Sequence, residues 1–181
     1  MGDSLRGQLL IASPALTDPN FRRTVVLIAA HDEDGAVGLV LNRVTDTEVA
    51  DAVPHLSEIL EPGALLSVGG PVQKEAVVVL AEWDNQEVAG AMVFGRVGLM
   101  GAEAESEQVA AATTRLRVFA GYAGWGGGQL EAELEEDSWV IEDARVEDVF
   151  GNERDLWAAV LRRKGGAFRL VATMPEDPSL N

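Results

Sequence analysis

The stretch Thr24–Asn42 reads TVVLIAAHDEDGAVGLVLN and decides the fold of this chain. Its first part, Thr24–Ala30, is β-branched and aliphatic throughout, which is typical of a buried strand. The dipeptide Asp34-Gly35 favours a tight hairpin turn, and Ala36–Asn42 returns as a second apolar segment. The stretch therefore predicts a strand–turn–strand pair.

The remaining patterns surround this pair with further strands and helices. Apolar or alternating runs predict strands at 8–12, 65–68, 75–83, 90–97, 116–122, 138–141 and 168–173. Helical periodicity is found at 47–60, where Pro54 interrupts it, and at 103–114, 129–136 and 154–163. Because the strands are mostly adjacent in sequence, we predict an α+β fold: a single compact domain around a mixed, largely antiparallel β-sheet with flanking helices.

Length and charge limit the classes of protein to consider. The 181 residues predict one domain spanning 1–181, with a loose polar tail at about 174–181. The net charge of −16 disfavours direct nucleic-acid binding, which depends on neutralising phosphates with Lys and Arg. No apolar run approaches the roughly 20 residues of a membrane span, and the N-terminus lacks a signal-peptide pattern. We therefore expect a cytoplasmic protein that does not contact membranes.

A glycine-rich segment, Gly121–Leu130, reads GYAGWGGGQL and predicts a strand end, a tight loop and a helix start. Successive backbone N–H groups at Gly126, Gly127 and Gly128, ahead of a helix that begins at Gln129, favour an anion-binding concavity, and Gly124 belongs to the same candidate site. The ring of Trp125 offers a face on which a planar ligand would stack.

Close packing is the stronger interpretation of the same segment. Glycine also persists where one backbone approaches another. Glu131 and Glu133 already satisfy the positive end of the following helix, and they would repel a phosphate. Aromatic residues such as Trp125 and Tyr122 are more often core anchors than ligand platforms. We therefore expect packing first and ligand binding second.

Other turn-rich clusters supply further candidates for a ligand-binding groove. They contribute Ser13, Asp18, Asn20, Arg22, Asn42, Arg43, Gly69 and Gly70. Arg22 or Arg23 would be the natural counter-charge for an anionic ligand in this groove. The competing interpretation is local, because Asp18 and Asn20 favour Asx turns and Asn42 would cap the turn after its strand.

Metal binding and catalysis receive little support. The acids after His31 fit a solvent-facing hairpin turn better than a calcium loop, and His55 has no evident partner. We therefore predict neither a metal site nor a cofactor. The absence of cysteine excludes disulfides and thiol catalysis. The nucleophile motifs GxSxG and SxxK are missing, and no base is assignable to Ser13, so the sequence favours a protein without enzymatic activity.

Three segments together resemble the AlgH/YqgE family of bacterial proteins: Gly7–Arg43, Gly69–Gln73 (GGPVQ) and Gly121–Val140. Their order and spacing cover most of the chain. The resemblance implies a compact α+β fold around a mixed sheet and a bacterial, cytoplasmic setting. It implies no known chemistry, because the family has no established enzymatic activity. The chain departs from the family pattern at Val44 and Ala81, where proline and histidine are common.

Three functions remain open at this point. The leading hypothesis is a non-catalytic module that binds a small molecule or a protein in a groove at the glycine-rich loop. The alternative is a transcriptional regulator that acts through a protein partner, as the family association implies. A hydrolase of unknown substrate is a second alternative, with Asp18 or His31 as its only candidates.

Overall fold

The computed structural model describes residues 3–176, and within them the chain forms ten strands and six α-helices. The strands are β1 Gln8–Ala12, β2 Val25–Asp32, β3 Gly35–Val40, β4 Val44–Glu48, β5 Leu65–Val68, β6 Val72–Trp83, β7 Ala91–Phe94, β8 Val97–Leu99, β9 Thr113–Gly126 and β10 Trp139–Asp143. The helices are α1 Val49–Ala52, α2 Ser106–Ala112, α3 Gln129–Glu135, α4 Val146–Phe150, α5 Leu156–Lys164 and α6 Phe168–Val171. Short 3-10 turns cover Pro54–Ile59 and Gln86–Val88.

Eight of the strands form one continuous path in the order β10-β1-β2-β3-β9-β6-β8-β7. Every neighbouring pair on this path is antiparallel. β5 pairs in parallel with β9 and antiparallel with β4, which makes the sheet mixed. The predicted α+β fold with a largely antiparallel sheet is confirmed. The predicted hairpin is also confirmed, because β2 and β3 pair from Val26↔Val40 to Asp32↔Gly35.

Both faces of the sheet are covered at β1 and β2, and Val25–Ile28 are fully buried. Successive side chains of a strand point to opposite faces. The odd-numbered side chains of β1 and β2 pack with α5, and the even-numbered ones pack with Leu130 of α3. Trp157 connects α5 to β1, because its Nε1 donates a hydrogen bond of 2.8 Å to the carbonyl of Ala12.

The strand β9 joins the two halves of the sheet. Its first part pairs with β6, and its last part pairs with β3 down to Gly126↔Gly35. Gly121, between these parts, has φ +73°, a left-handed conformation that favours glycine. A Cβ at Gly121 would lie 2.6 Å from the carbonyl oxygen of Gly70, and one at Gly70 would lie 2.2 Å from the carbonyl of Tyr122. Glycine at these positions therefore permits the segment before β6 to cross β9 at backbone contact.

Three predictions about elements need correction. The segment 168–173, predicted as a strand, forms α6 because it packs back on α5, and a short apolar run does not by itself separate strand from helix. The segment 90–97 is a hairpin of β7 and β8 that turns at Gly95, not one strand. The glycine-rich segment remains in β9 as far as Gly126, so its loop consists of Gly127 and Gly128 alone.

Two elements, β4 and α4, had no clear signal in the sequence. The predicted tail at 174–181 overlaps the described residues only at 174–176, and residues 177–181 lie outside them. Within residues 3–176, no helix has the length and the apolar character needed to cross a bilayer.

The crossing at Gly121 predicts a measurable asymmetry between two glycines. Gly121→Ala should destabilise the fold by the roughly 1–2 kcal/mol of a left-handed alanine plus about 1–3 kcal/mol for the clash with Gly70. Gly63→Ala is the matched control, because Gly63 has φ +81° but nothing within 4 Å of an added Cβ. Urea unfolding of both variants measures the difference. Equal losses of stability would show that the close crossing does not constrain the fold.

Candidate anion-binding site

Four arginine side chains converge where β3 ends. They line a cavity of about 430 Å³, which we call the arginine cleft, together with Pro19, Asn42, Leu156, Asp155 and Glu176. The arginines are Arg22, Arg23, Arg43 and Arg154. Four arginines against two acidic residues leave a formal excess of two positive charges, in a chain whose net charge is −16.

Neutral carbonyl oxygens hold most of these guanidinium groups. Arg43 donates to the carbonyl of Arg22 at 2.6 Å, and Arg22 donates to the carbonyl of Glu176. Arg23 donates to the carbonyl of Met174 at 2.8 Å and lies 4.1 Å from the centre of the Trp157 ring. A carbonyl accepts a hydrogen bond without neutralising the charge, so the cleft remains positive.

Ion pairing within the cleft is limited to one contact among the described residues. Arg23 lies 3.5 Å from Asp155 Oδ2, and the other oxygen of Asp155 caps α5 by accepting from the N–H of Ala158 at 3.1 Å. Arg154 forms neither an ion pair nor a side-chain hydrogen bond with residues 3–176. Arg23 also adopts φ +55°, an uncommon conformation that costs energy in a non-glycine residue.

The side chain of Asn42 holds the start of β2 against the end of β3 beside the cleft. Its Oδ1 accepts from the N–H of Val25 at 2.9 Å, and its Nδ2 donates to the carbonyl of Arg23 at 2.8 Å. Both atoms of the amide are therefore used by the backbone at the start of β2. This role fits the local interpretation of Asn42 and places Arg23 beside Arg43.

The loop before β2 contributes to the cleft and to a neighbouring cavity. Asp18 Oδ1 accepts from the N–H of Asn20 at 2.8 Å, the expected Asx turn. Asn20 and Arg43 line a second cavity of about 330 Å³ with Gly70 and Lys74. Thus Asn20, Arg22, Asn42, Arg43 and Gly70 lie around one end of β3.

Ser13, in the same loop, lines a third cavity. It lines a space of about 420 Å³ with Arg22, Arg23 and Trp157. Its Oγ is buried and has no hydrogen-bond partner among residues 3–176. A serine nucleophile needs an adjacent base, and none is in contact with this oxygen.

The glycine-rich loop lies at the other end of β3. Gly126 pairs with Gly35 at the first residue of β3, whereas Asn42 and Arg43 follow its last residue. At about 3.4 Å per residue, the six residues of β3 span roughly 20 Å. The structure therefore separates Gly124, Gly126, Gly128 and Gln129 from the arginine cleft.

The side chains at the glycine-rich loop are engaged with one another. Trp125 is 6% exposed and donates to Glu133 Oε2 at 2.9 Å, an oxygen that also accepts from Trp139 at 2.8 Å. Gln129 Oε1 accepts from the N–H of Gly126 at 3.1 Å. Gly69 is buried between β3 and β9, where its carbonyl accepts from Val40 and its N–H donates to Ala120. These contacts pack the glycine-rich loop against its neighbours in the fold.

The histidines occupy separate environments. His31 Nδ1 accepts from the N–H of Leu5 at 2.9 Å, and its Nε2 lies 2.7 Å from Glu131. A backbone hydrogen bond and, after it, the contact with His31 hold the pKa of Glu131 below its usual value. His55 is exposed on the 3-10 turn. Across residues 3–176, no group of three or more His, Cys, Asp or Glu has the arrangement of a metal site.

Sequence reasoning did not include Arg154 in the site, and it treated Arg23 only as an alternative to Arg22. Arg154 lies 111 positions beyond Arg43 in the sequence, and only the docking of α5 on the sheet brings the two together. No local pattern at Arg154 could have indicated this.

The two hydrogen bonds of the Asn42 side chain yield a stability prediction. Asn42→Ala should leave the buried N–H of Val25 and the carbonyl of Arg23 unpaired and cost about 1–3 kcal/mol. Asn152→Ala, at an exposed loop position, is the control and should change stability by less than about 0.5 kcal/mol. Chemical denaturation measures both. A loss as small as that of the control would show that the amide does not hold the cleft.

Comparison with known proteins identifies the family to which the chain is similar. The family model described as AlgH-like matches residues 9–169. A UPF0301 protein of Streptomyces coelicolor is 45% identical over 98% of this chain and 96% of its own length. A UPF0301 protein of Mycobacterium leprae is 40% identical over 97% of this chain and 90% of its own length.

Two solved structures share the fold over nearly the whole chain. Protein DIP2367 from Corynebacterium diphtheriae superposes with a TM-score of 0.85 at 27% identity, covering 96% of this chain and 93% of that protein. The solution structure of AlgH from Pseudomonas aeruginosa superposes with a TM-score of 0.69 at 29% identity, covering 97% of this chain and 96% of that protein. The chain therefore belongs to the AlgH-like family, whose bacterial members extend over the same length.

Proposed function

We propose that this protein is a non-catalytic binding module of the bacterial cytoplasm and that the arginine cleft holds an anionic group of its ligand. The observation that carries the proposal is the convergence of four arginines in a strongly acidic chain. Four like charges that face only two acidic residues repel one another, so a bound anion would relieve the repulsion. Planar guanidinium groups also match carboxylate and phosphate oxygens in two-point hydrogen bonds.

The strained backbone at Arg23 supports the same interpretation. Uncommon backbone conformations of non-glycine residues cluster at ligand-binding positions because the surrounding structure must hold them. Here the side chain of Asn42 holds this conformation by donating a hydrogen bond to the carbonyl of Arg23. The unpartnered oxygen of Ser13 favours binding over hydrolysis, because a nucleophile without a base is weak.

The ligand site in this proposal differs from the groove at the glycine-rich loop. That groove required the glycine-rich segment to face a ligand, whereas its Trp125 packs in the core, with its ring 6.1 Å from that of Phe21 in the loop before β2. The proposal retains Asn20, Arg22 and Arg43 as binding residues. It gives Trp125 and Gln129 a packing role.

Binding of small anions tests the proposal directly. Inorganic phosphate, pyrophosphate and citrate are titrated at low ionic strength by calorimetry and by thermal unfolding. Saturation at 100 times the dissociation constant should stabilise the fold by about 2.7 kcal/mol. Arg43→Gln should weaken pyrophosphate binding at least about tenfold, because a hydrogen bond to a charged group contributes roughly 1.5–3 kcal/mol.

Arg169→Gln is the matched control for this experiment. Arg169 is exposed on α6, outside the lining of the cleft, and its substitution changes the net charge by the same amount. Its affinity for pyrophosphate should equal that of the unchanged protein. Failure of all three anions to bind, or equal losses in both variants, would contradict the proposal.

A DNA duplex in the same titration tests the direct form of a regulatory role. Repulsion by the net charge of −16 predicts no binding at physiological salt. Binding that weakens steeply as salt increases would instead place the arginine cleft on nucleic-acid phosphates.

A further inference from the structure

Arg117 on β9 is a cation held inside the protein by neutral groups. Its guanidinium donates to the carbonyl of Val149 at 2.9 Å, to Ser67 Oγ at 3.0 Å and to the carbonyl of Leu41. It also lies 4.9 Å from the centre of the Phe119 ring. Burial lowers the pKa of Arg117 to about 10, which shows how strongly this environment disfavours the charge.

Buried charges in proteins are usually paired with an opposite charge. Among residues 3–176, no carboxylate forms an ion pair with Arg117. Arg115, on the same face of β9, does have carboxylate partners, because it pairs with Glu82 at 2.8 Å and with Glu147 at 3.0 Å. Arg117 therefore has its hydrogen bonds but lacks a counter-ion.

Arg117 forms part of the wall of a cavity of about 540 Å³, which we call the Arg117 cavity. Small-molecule sites commonly have volumes of roughly 300–1,000 Å³. Apolar side chains form much of the wall: Leu41, Val44, Leu65, Leu116, Val149, Phe150 and Leu156. Two of them are exposed despite lining a cavity, Val44 at 58% and Leu65 at 42%.

The acidic residues around the cavity are already engaged. Glu147 pairs with Arg115 at 3.0 Å, and Asp148 pairs with Arg163 at 2.8 Å. Glu153 accepts from the N–H of Asp155 at 3.4 Å. With Glu147 and Asp148 neutralised, the positive charges of Arg117 and Arg154 outnumber the charge of Glu153.

We propose that the Arg117 cavity binds a small aliphatic carboxylate, with the carboxylate on the guanidinium of Arg117 and the hydrocarbon chain against Val44 and Leu65. One guanidinium matches one carboxylate in charge. A hydrocarbon chain distinguishes this ligand from an inorganic anion, because Val44 and Leu65 expose apolar surface on the cavity wall. The site is distinct from the arginine cleft, although both cavities include Asn42, Arg154 and Leu156 in their walls.

Calorimetric titration with butyrate, hexanoate and octanoate tests this site in the intact protein. Affinity should increase about fourfold for each added CH2, because each one is buried against the apolar wall. Octan-1-ol has the same hydrocarbon length without the charge, and it should bind at least tenfold more weakly than octanoate. No octanoate binding, or equal binding of octanol, would overturn the proposal.

A pair of matched variants locates the site without removing Arg117, whose hydrogen bonds also hold the fold. Leu65→Glu places a negative charge on the cavity wall and should weaken octanoate binding at least tenfold. Val77→Glu adds the same charge at a strand position that is 44% exposed and outside the cavity lining, so it should leave binding unchanged. Equal effects of the two variants would contradict the assignment.

A third variant separates this site from the arginine cleft. Arg43 lines the arginine cleft but not the Arg117 cavity, so Arg43→Gln should leave octanoate binding unchanged. Loss of octanoate binding in Arg43→Gln would place the carboxylate in the arginine cleft and overturn the separate site.

Discussion

The close crossing of two backbones at Gly70 and Gly121 is the constraint on which the rest of this structure depends. It lets β9 pair with β6 in its first part and with β3 in its last part, so that one strand joins both halves of the sheet. Side chains larger than glycine would clash at 2.2–2.6 Å with the opposing carbonyls. Because β9 carries Arg117 before the crossing and Trp125 after it, the crossing also fixes where a buried cation and a core anchor lie. Gly121, which belongs to the glycine-rich segment, thus acts on the architecture.

Positive charge in this acidic protein is concentrated where β3 ends. Thirty acidic residues face fourteen basic ones, yet four arginines line one cleft and a fifth is buried in the adjoining cavity. Most of these guanidinium groups are held by carbonyl oxygens, which satisfy hydrogen bonds and leave the charge in place. Two neighbouring cavities of different character follow from this distribution. The arginine cleft has several cationic groups suited to a multiply charged anion, whereas the Arg117 cavity combines Arg117 and Arg154 with apolar side chains such as Val44 and Leu65.

The sequence predicted the hairpin of β2 and β3 because an uninterrupted β-branched run and an Asp-Gly turn agree with each other. It did not predict α6, because FRLV is too short for periodicity to separate helix from strand, and contact with α5 decides the outcome. It named Arg22, Asn42 and Arg43, which flank the hairpin of β2 and β3 in the sequence. It missed Arg154, which only tertiary packing brings to the cleft. Arg117 did leave a signal: it shares a strand face with Phe119, a residue that is fully buried. Of the two arginines on this face, Arg115 pairs with Glu82 and Glu147, whereas Arg117 has no carboxylate partner among residues 3–176.

The central claim is that the positive charge where β3 ends forms an anion-binding site rather than ordinary surface. Side-chain nuclear magnetic resonance of ¹⁵N-labelled arginine, followed while pyrophosphate and then octanoate are added, tests that claim most directly. Pyrophosphate should move the Nε–H signals of Arg43 and Arg154 and leave that of Arg117 in place, and octanoate should then move the signal of Arg117. Uniform small shifts of every arginine, or no shift at these three, would contradict the account and assign the charge to the stability of the fold alone.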